Sequence, residues 1–164
     1  MTTRRLWAAL PLLLSGCFLL DITEPLAATS TSEWITVGKV DKPLTELNEI
    51  TRNLMIKQGY PVPETPPDSQ RLLSDWNVQL SSHWREGVRT RLEADFQPYA
   101  DGSCEIQVRS YLEINDEPKH PMILDKARWM GASLDAKHAP KMSEPALRLQ
   151  QMLKLKLFGM AHDQ

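Results

Sequence analysis

The sequence predicts an α+β fold, in which an antiparallel sheet of about four strands is covered on one face by two helices. Two observations predict it. Three consecutive segments alternate between apolar and polar residues, and two others repeat apolar residues every three or four positions. A sheet that is apolar on one face needs a cover, and only the two helices can supply it. The element order is therefore β-α-β-β-β-α, arranged as a two-layer sandwich.

The first strand and the first helix open the predicted fold. Residues 33–40 are rich in β-branched and aromatic residues, and they predict a strand with Trp34 in the core. A helix follows, with Asp41 as its expected cap and Pro43 in its first turn. Gly59 is a natural residue for the end of this helix.

The three alternating segments span residues 71–81, 88–98 and 104–114, and they complete the sheet. Each has one apolar and one polar face, which is typical of an antiparallel sheet with one side in water. The apolar face of the first segment includes Trp76, and that of the third includes Cys104. We therefore expect both side chains in the core.

The loop between the last two strands follows from their alternation. Asp101-Gly102 is typical of a two-residue hairpin turn, but that turn would set apolar residues opposite polar ones across the sheet. A three-residue loop at 101–103 instead pairs Phe96 with Val108, and a five-residue loop keeps the same parity. We expect a bulged loop with Gly102 at positive φ.

The C-terminal third is less regular. Residues 115–142 contain three prolines and predict irregular chain, with short elements at 122–124 or 127–130. A final amphipathic helix is predicted to open with Ser143 as its cap and Pro145 in its first turn.

The N-terminal segment has the three parts of a secretory signal. Residues 4–5 are two arginines, residues 6–14 are mostly apolar, and residues 15–16 are small. The apolar run ends at Leu20, which makes it shorter than the about 20 residues that a membrane-spanning helix needs.

Leu14-Ser15-Gly16-Cys17 resembles the lipobox of bacterial lipoproteins, in which an aliphatic residue, a small residue and Gly or Ala precede the Cys. The resemblance implies cleavage before Cys17, diacylation of its sulfur and acylation of the new N-terminus. In enteric bacteria an Asp after that Cys favours the inner membrane. Phe18 stands there, which implies the outer membrane, facing the periplasm. The alternatives are a conventional cut near residues 26–28 and an uncleaved anchor.

These observations divide the chain into a signal peptide at 1–16, a lipidated tether at 17–32 and a single α+β domain at 33–164. Loss of the leader takes the 19 basic residues to 17 against 21 acidic ones, so the net charge of −2 becomes −4. This acidic balance gives no electrostatic reason to expect nucleic-acid binding. Acylation of Cys17 would leave Cys104 without a disulfide partner.

The sequence contains no recognisable catalytic or cofactor motif. It has no Gly-x-Ser-x-Gly, no P-loop and no dinucleotide fingerprint, and its four histidines form no metal-type cluster. We therefore expect no enzymatic activity, no cofactor and no bound metal.

The polar face of the last two strands is the most distinctive candidate for a function. It carries charges of both signs, at Arg89, Arg91, Glu93, Asp95, Glu105, Arg109 and Glu113. These charges either pair off on a solvated face or bind a protein partner or cell-wall polymer. Two tryptophans outside the predicted core are expected anchors for a partner. The candidate partner-binding residues are Trp84, Arg89, Arg91, Arg109, Glu113 and Trp129.

The element order, the lipobox and the Arg- and Trp-bearing strands together are similar to the helix-grip domains of the outer-membrane assembly lipoprotein BamC. We interpret the chain as a non-enzymatic cell-envelope lipoprotein that contacts another envelope protein. The alternative is a periplasmic module that holds a lipid or another small apolar ligand between helices and sheet. A continuous apolar cavity of several hundred Å³ would favour the ligand, and a filled interface the protein partner.

Overall fold

The computed structural model describes residues 29–132 and 138–159, which form a mixed α+β fold with two α-helices and one antiparallel sheet. The strands are β1 (Ser30–Thr31), β2 (Ile35–Val40), β3 (Arg71–Leu73), β4 (Asn77–Gln79), β5 (Val88–Pro98), β6 (Cys104–Asn115) and β7 (Trp129–Gly131). The helices are α1 (Leu44–Lys57) and α2 (Ala139–Phe158), with a short 3-10 helix at Leu124–Lys126. The predicted signal peptide, Cys17 and the tether up to residue 28 lie outside the described residues.

The sheet has seven strands, so the prediction of about four was wrong. β6 pairs along its length with β5, while β2, β1 and β7 follow one another along its other edge. β3 and β4 share the free edge of β5. The seven strands thus lie in four rows, because the chain interrupts two of the rows. β1 also shows that the paired chain begins at Ser30, within the predicted tether.

β5 and β6 form the longest pairing of the sheet, and a five-residue connection at 99–103 joins them. Phe96 lies opposite Ile106, so the three-residue loop that pairs Phe96 with Val108 was wrong. The five-residue alternative keeps the predicted parity, and the apolar side chains of both strands lie on one face. Hydrophobic alternation therefore determines the parity of the pairing, although not the length of the loop.

The strand predicted at residues 71–81 is divided into β3 and β4 by a bulge. Leu72 of β3 lies opposite Ala94. Asn77 of β4 lies opposite Thr90, which leaves one extra residue between the two strands. Because side chains alternate, that residue reverses the face on which the following side chains lie. Trp76 therefore lies on the face opposite the core, and its predicted burial was wrong.

Both helices begin at a different position from the predicted one. α1 has no side-chain cap, so Asp41 does not cap it, although Gly59 follows its end at a φ of 82° as predicted. α2 begins at Ala139, four residues before the predicted cap Ser143. Pro140, in the first turn of α2, needs no N–H partner. Pro145 therefore lies inside the helix.

The helices cover one face of the sheet and form the core with it. Leu47 and Met55 of α1 and Leu149 and Leu153 of α2 are fully buried with Phe96 of β5. Burying side chains of this size contributes about 1.5–3 kcal/mol each. The predicted stripe of α1 and the predicted cover of the sheet are thus present.

The cover can be tested with two leucines of α2. Leu149 is fully buried, whereas Leu147 is 41% exposed. We expect Leu149→Ala to lower the free energy of unfolding by about 3–4 kcal/mol, because it leaves a cavity between helix and sheet. Leu147→Ala should change it by less than about 0.5 kcal/mol. Urea unfolding measures both, and similar losses for the two variants would contradict the packing of α2.

The hairpin loop can be tested at Gly102. Its φ is 84°, and a Cβ added there would meet no atom within 4 Å, so only the backbone conformation opposes a side chain. We expect Gly102→Ala to cost about 1–2 kcal/mol in unfolding free energy, and Gly102→Asn to cost less because Asn tolerates this conformation. Equal stability of Gly102→Ala and the native chain would exclude the left-handed loop.

Candidate functional site

The face of the sheet opposite the core, which we call the outer face, carries side chains that alternate with the buried ones along β5 and β6. The pairing sets Arg89 opposite Glu113 and Arg91 opposite Tyr111. Glu93 lies opposite Arg109 in the same register. The predicted charged face is therefore present, and aromatic residues contribute to it.

Two carboxylates of the outer face are enclosed by hydrogen-bond donors. Glu93 has a side chain only 2% exposed, and it accepts from Arg109 at 2.7 Å and Arg71 at 2.8 Å. The Tyr111 hydroxyl also donates to it. Hydrogen bonds to a charged group contribute about 1.5–3 kcal/mol each. The charges thus stabilise this face of the fold.

Glu113 of β6 is the second carboxylate, with one arginine and one hydroxyl as donors. Its Oε2 accepts from Arg89 Nε at 2.6 Å, and its Oε1 accepts from the Thr29 hydroxyl at 2.6 Å. The second bond fixes the first described residue of the chain to the outer face. Thr29 therefore lies on the outer face, beside Glu113.

Three arginines of the outer face alternate with four aromatic rings, and we call this row the Arg–aromatic ladder. Each guanidinium lies between two rings, where the negative face of the ring attracts the cation. Five elements or loops contribute to the row, which brings together residues far apart in the sequence. Its order is Trp129, Arg89, Trp76, Arg91, Tyr111, Arg109 and Trp34.

Trp76 lies between two arginines of the ladder, and its ring contacts both. The guanidinium carbon of Arg89 lies 4.4 Å from the centroid of Trp76 and 4.9 Å from that of Trp129. That of Arg91 lies 4.6 Å from Trp76 and 4.6 Å from Tyr111. Such contacts contribute from about 0.5 kcal/mol when exposed to about 2 kcal/mol when desolvated.

The far end of the ladder is Trp34. Arg109 lies 4.3 Å from its ring centroid and 5.1 Å from that of Tyr111. Trp34 is 36% exposed, so the prediction that it lies in the core was wrong. It precedes β2, where Ile35 points to the core instead, since Ile35 lies opposite the buried Val108.

The tyrosine of the ladder titrates above its ordinary range. Burial and then the hydrogen bond to the Glu93 carboxylate raise the pKa of Tyr111. The neutral hydroxyl therefore remains a donor to Glu93 at physiological pH. A raised pKa means that this contribution to stability is complete below the ordinary value and is lost as the pH rises through the folded-state value.

The structure brings five of the six predicted partner-binding residues to the outer face, and the sixth lies elsewhere. Trp84 is in the loop between β4 and β5, 54% exposed, with Arg85 stacked at 4.4 Å from its ring centroid. Arg85 has a φ of 60° and pairs with Asp116 at 2.6 Å. Trp84 is thus exposed as predicted, outside the ladder.

The sequence did not mark Trp34, Trp76, Tyr111 or Arg71 as parts of the site. Tyr111 is two residues from Arg109 and from Glu113, so its place on the outer face could be predicted from the strand pattern. Trp76 follows a bulge that the pattern does not reveal. Its role in the ladder required the three-dimensional pairing.

Two clefts lie away from the outer face, and most residues that line them are polar or charged. One of about 470 Å³ lies between the β4–β5 edge and α2, where Gln58, Thr90 and Arg148 line it. The other, of about 560 Å³, lies beside α1, where Glu46 and Arg52 line it. Both are open clefts, and neither is the enclosed apolar cavity that favours a lipid.

Cys104 and the potential metal ligands of the described chain were the remaining candidates for a reactive site. Cys104 is buried as predicted, and burial raises the pKa of its thiol, which disfavours the reactive thiolate. Within residues 29–132 and 138–159, no group of three or more His, Cys, Asp and Glu side chains could hold a metal ion. No described helix has the length and apolar character needed to cross a membrane.

The fold class and the site are thus defined as an α+β domain with an Arg–aromatic ladder on the open face of its sheet. Comparison with protein-family models and with curated proteins gave no match for this chain.

Glu93 can be tested as the electrostatic centre of this face. We expect Glu93→Gln to lower the free energy of unfolding by about 2–3 kcal/mol, because it leaves Arg109 and Arg71 without their anion. Asp95→Asn is the matched control, on the same face of the same strand and without an ion pair in the described part of the chain. It should cost less than about 0.5 kcal/mol. Chemical denaturation measures the free energy of unfolding of both variants. A Glu93→Gln variant as stable as the control would contradict this role.

Proposed function

We propose that this protein is a non-enzymatic lipoprotein of the cell envelope, a membrane-tethered module that contacts another envelope protein through its outer face. The observation that carries the proposal is the Arg–aromatic ladder. Trp, Tyr and Arg are the residues in which the binding energy of protein interfaces is concentrated. An open sheet face that only had to remain soluble would need none of its three tryptophans.

The immobilisation of the ladder's side chains also supports a docking role. Each guanidinium is stacked, and Arg89 and Arg109 are ion-paired as well. Side chains that are already immobilised lose little conformational entropy when a partner binds, and this loss is a main cost of association. The outer face is therefore pre-organised for binding.

The tether of the proposed lipoprotein leads to the same face. Lipidation at Cys17 rests on the lipobox resemblance, and Phe18 after it favours the outer membrane, facing the periplasm. Thr29 is bonded to Glu113 on the outer face. The chain from Cys17 to Thr29 reaches at most about 40 Å when extended. The outer face would then meet partners close to the membrane surface.

The alternative of a lipid-binding module has less support. The interface between the helices and the sheet is filled by fully buried side chains, including Leu47, Leu149 and Phe96. The clefts beside it are lined mainly by polar residues. The filled interface is the arrangement that favours a protein partner.

The anchor is tested with the two cysteines of the chain. We expect Cys17→Ser to abolish fatty-acid labelling in bacterial cells and to leave the leader uncut by the lipoprotein peptidase, because no thiol remains at the lipobox for diacylation. Cys104→Ser, which changes the buried cysteine, should keep the label. Acyl label that persists in Cys17→Ser, or a native protein without any acyl mass, would refute the lipoprotein proposal.

A further inference from the structure

Arg91 differs from the other two arginines of the ladder. Arg89 is paired with Glu113 and Arg109 with Glu93. Arg91 lies between them on β5, opposite Tyr111, and forms no ion pair within the described part of the chain. It is therefore the one guanidinium of the ladder that forms no ion pair with a described carboxylate.

One hydrogen-bond donor of Arg91 is also without a partner in the described part of the chain. A guanidinium has five N–H donors. Its Nε is buried and has no hydrogen-bond partner, although the residue as a whole is partly exposed. A buried donor without a partner is unfavourable, so nothing within the described chain compensates the guanidinium at this atom. Because Nε itself is enclosed, an acceptor from outside the chain would bind the Nη groups of the guanidinium.

The two neighbouring rings limit how a ligand can approach. Trp76 and Tyr111 lie on two sides of the Arg91 guanidinium, each 4.6 Å from its carbon. The edge of the guanidinium plane is left for hydrogen bonding. That edge is a fork of parallel N–H groups, and it matches the two oxygens of a carboxylate.

The surrounding charges favour a ligand with one negative charge. Glu93 and Glu113 lie on the two sides of Arg91 along the outer face and neutralise its neighbours. A polyanion such as a phosphate-rich surface would meet these carboxylates after one favourable contact. A single acidic side chain between apolar residues fits both the Arg91 guanidinium, which has no ion pair among the described residues, and the rings beside it.

We propose that Arg91 is the specificity-determining residue of the outer face and binds the carboxylate of an Asp or Glu side chain of the protein partner. Trp76 and Tyr111 contact the apolar residues that flank this acid. The inference rests on the proposed function for the existence of a protein partner, and it does not depend on the lipid at Cys17.

The probe is the blocked tripeptide acetyl-Leu-Glu-Leu-amide, with acetyl-Leu-Gln-Leu-amide as its uncharged match. Each is titrated into the full chain in non-ionic detergent micelles, and the NMR signal of Arg91 Nε–H is followed together with the indole N–H of Trp76. We expect the Glu peptide to shift both signals saturably, with an affinity at least tenfold above that of the Gln peptide. Equal effects of the two peptides, or no movement of the Arg91 signal, would overturn the proposal.

The variants separate Arg91 from general charge effects. Arg91→Gln should weaken binding of the Glu peptide at least tenfold, as followed at Trp76. Arg85→Gln removes a stacked arginine outside the ladder and should leave binding unchanged. If Arg91→Gln does not fold, the comparison of the two peptides on the native chain decides alone. Inorganic phosphate that shifts the Arg91 signal as strongly as the Glu peptide would also contradict a carboxylate site.

This experiment and the acylation test fail independently. Loss of peptide binding with the acyl label intact would remove the carboxylate site and leave the lipoprotein proposal. Loss of the acyl label with peptide binding intact would remove the envelope anchor and leave the site.

Discussion

The register of β5 against β6 decides on which side of the sheet every other element packs. Because side chains alternate along a strand, one pairing sends Phe96 and Ile106 into the core and Glu93 and Arg109 to the outer face. A slip of one residue would bury the arginines beneath the helices. The cost of burying unpaired charges makes this slip prohibitive, so the helix cover and the ladder depend on the same constraint.

The outer face then combines two kinds of interaction that reinforce each other. Ion pairs hold the carboxylates of Glu93 and Glu113, and stacking holds the arginines between rings. Neither kind contributes much on a fully exposed surface, where water screens it. Here the tryptophans partly cover the charges, which strengthens both kinds of interaction. Among the described residues, Arg91 is the ladder arginine without an ion pair.

The parts of the fold that depend on periodicity could be predicted from the sequence. The parity of the β5–β6 pairing and the left-handed Gly102 follow from alternation and turn chemistry. The bulge that turns Trp76 outward could not be predicted. There the Ser74 hydroxyl accepts the Leu92 N–H at 2.9 Å, a long-range contact without a local pattern. The predicted start of α2 was also wrong, because Pro140, and not Pro145, lies in the first turn of the helix.

For the same reason, only the charged part of the candidate site could be predicted from the sequence. Its charged members alternate within two strands, whereas Trp34 and Trp76 lie in irregular segments between strands, where periodicity gives no information.

The most direct test of a docking outer face is site-specific photo-cross-linking in intact cells. Val78 shares this face with Arg89, whereas Leu155 is exposed on α2. A cross-linker at Val78 should give one defined product that disappears when Arg91→Gln is added, and the same cross-linker at Leu155 should give none. Products that are equal from both positions, or unaffected by Arg91→Gln, would contradict the account.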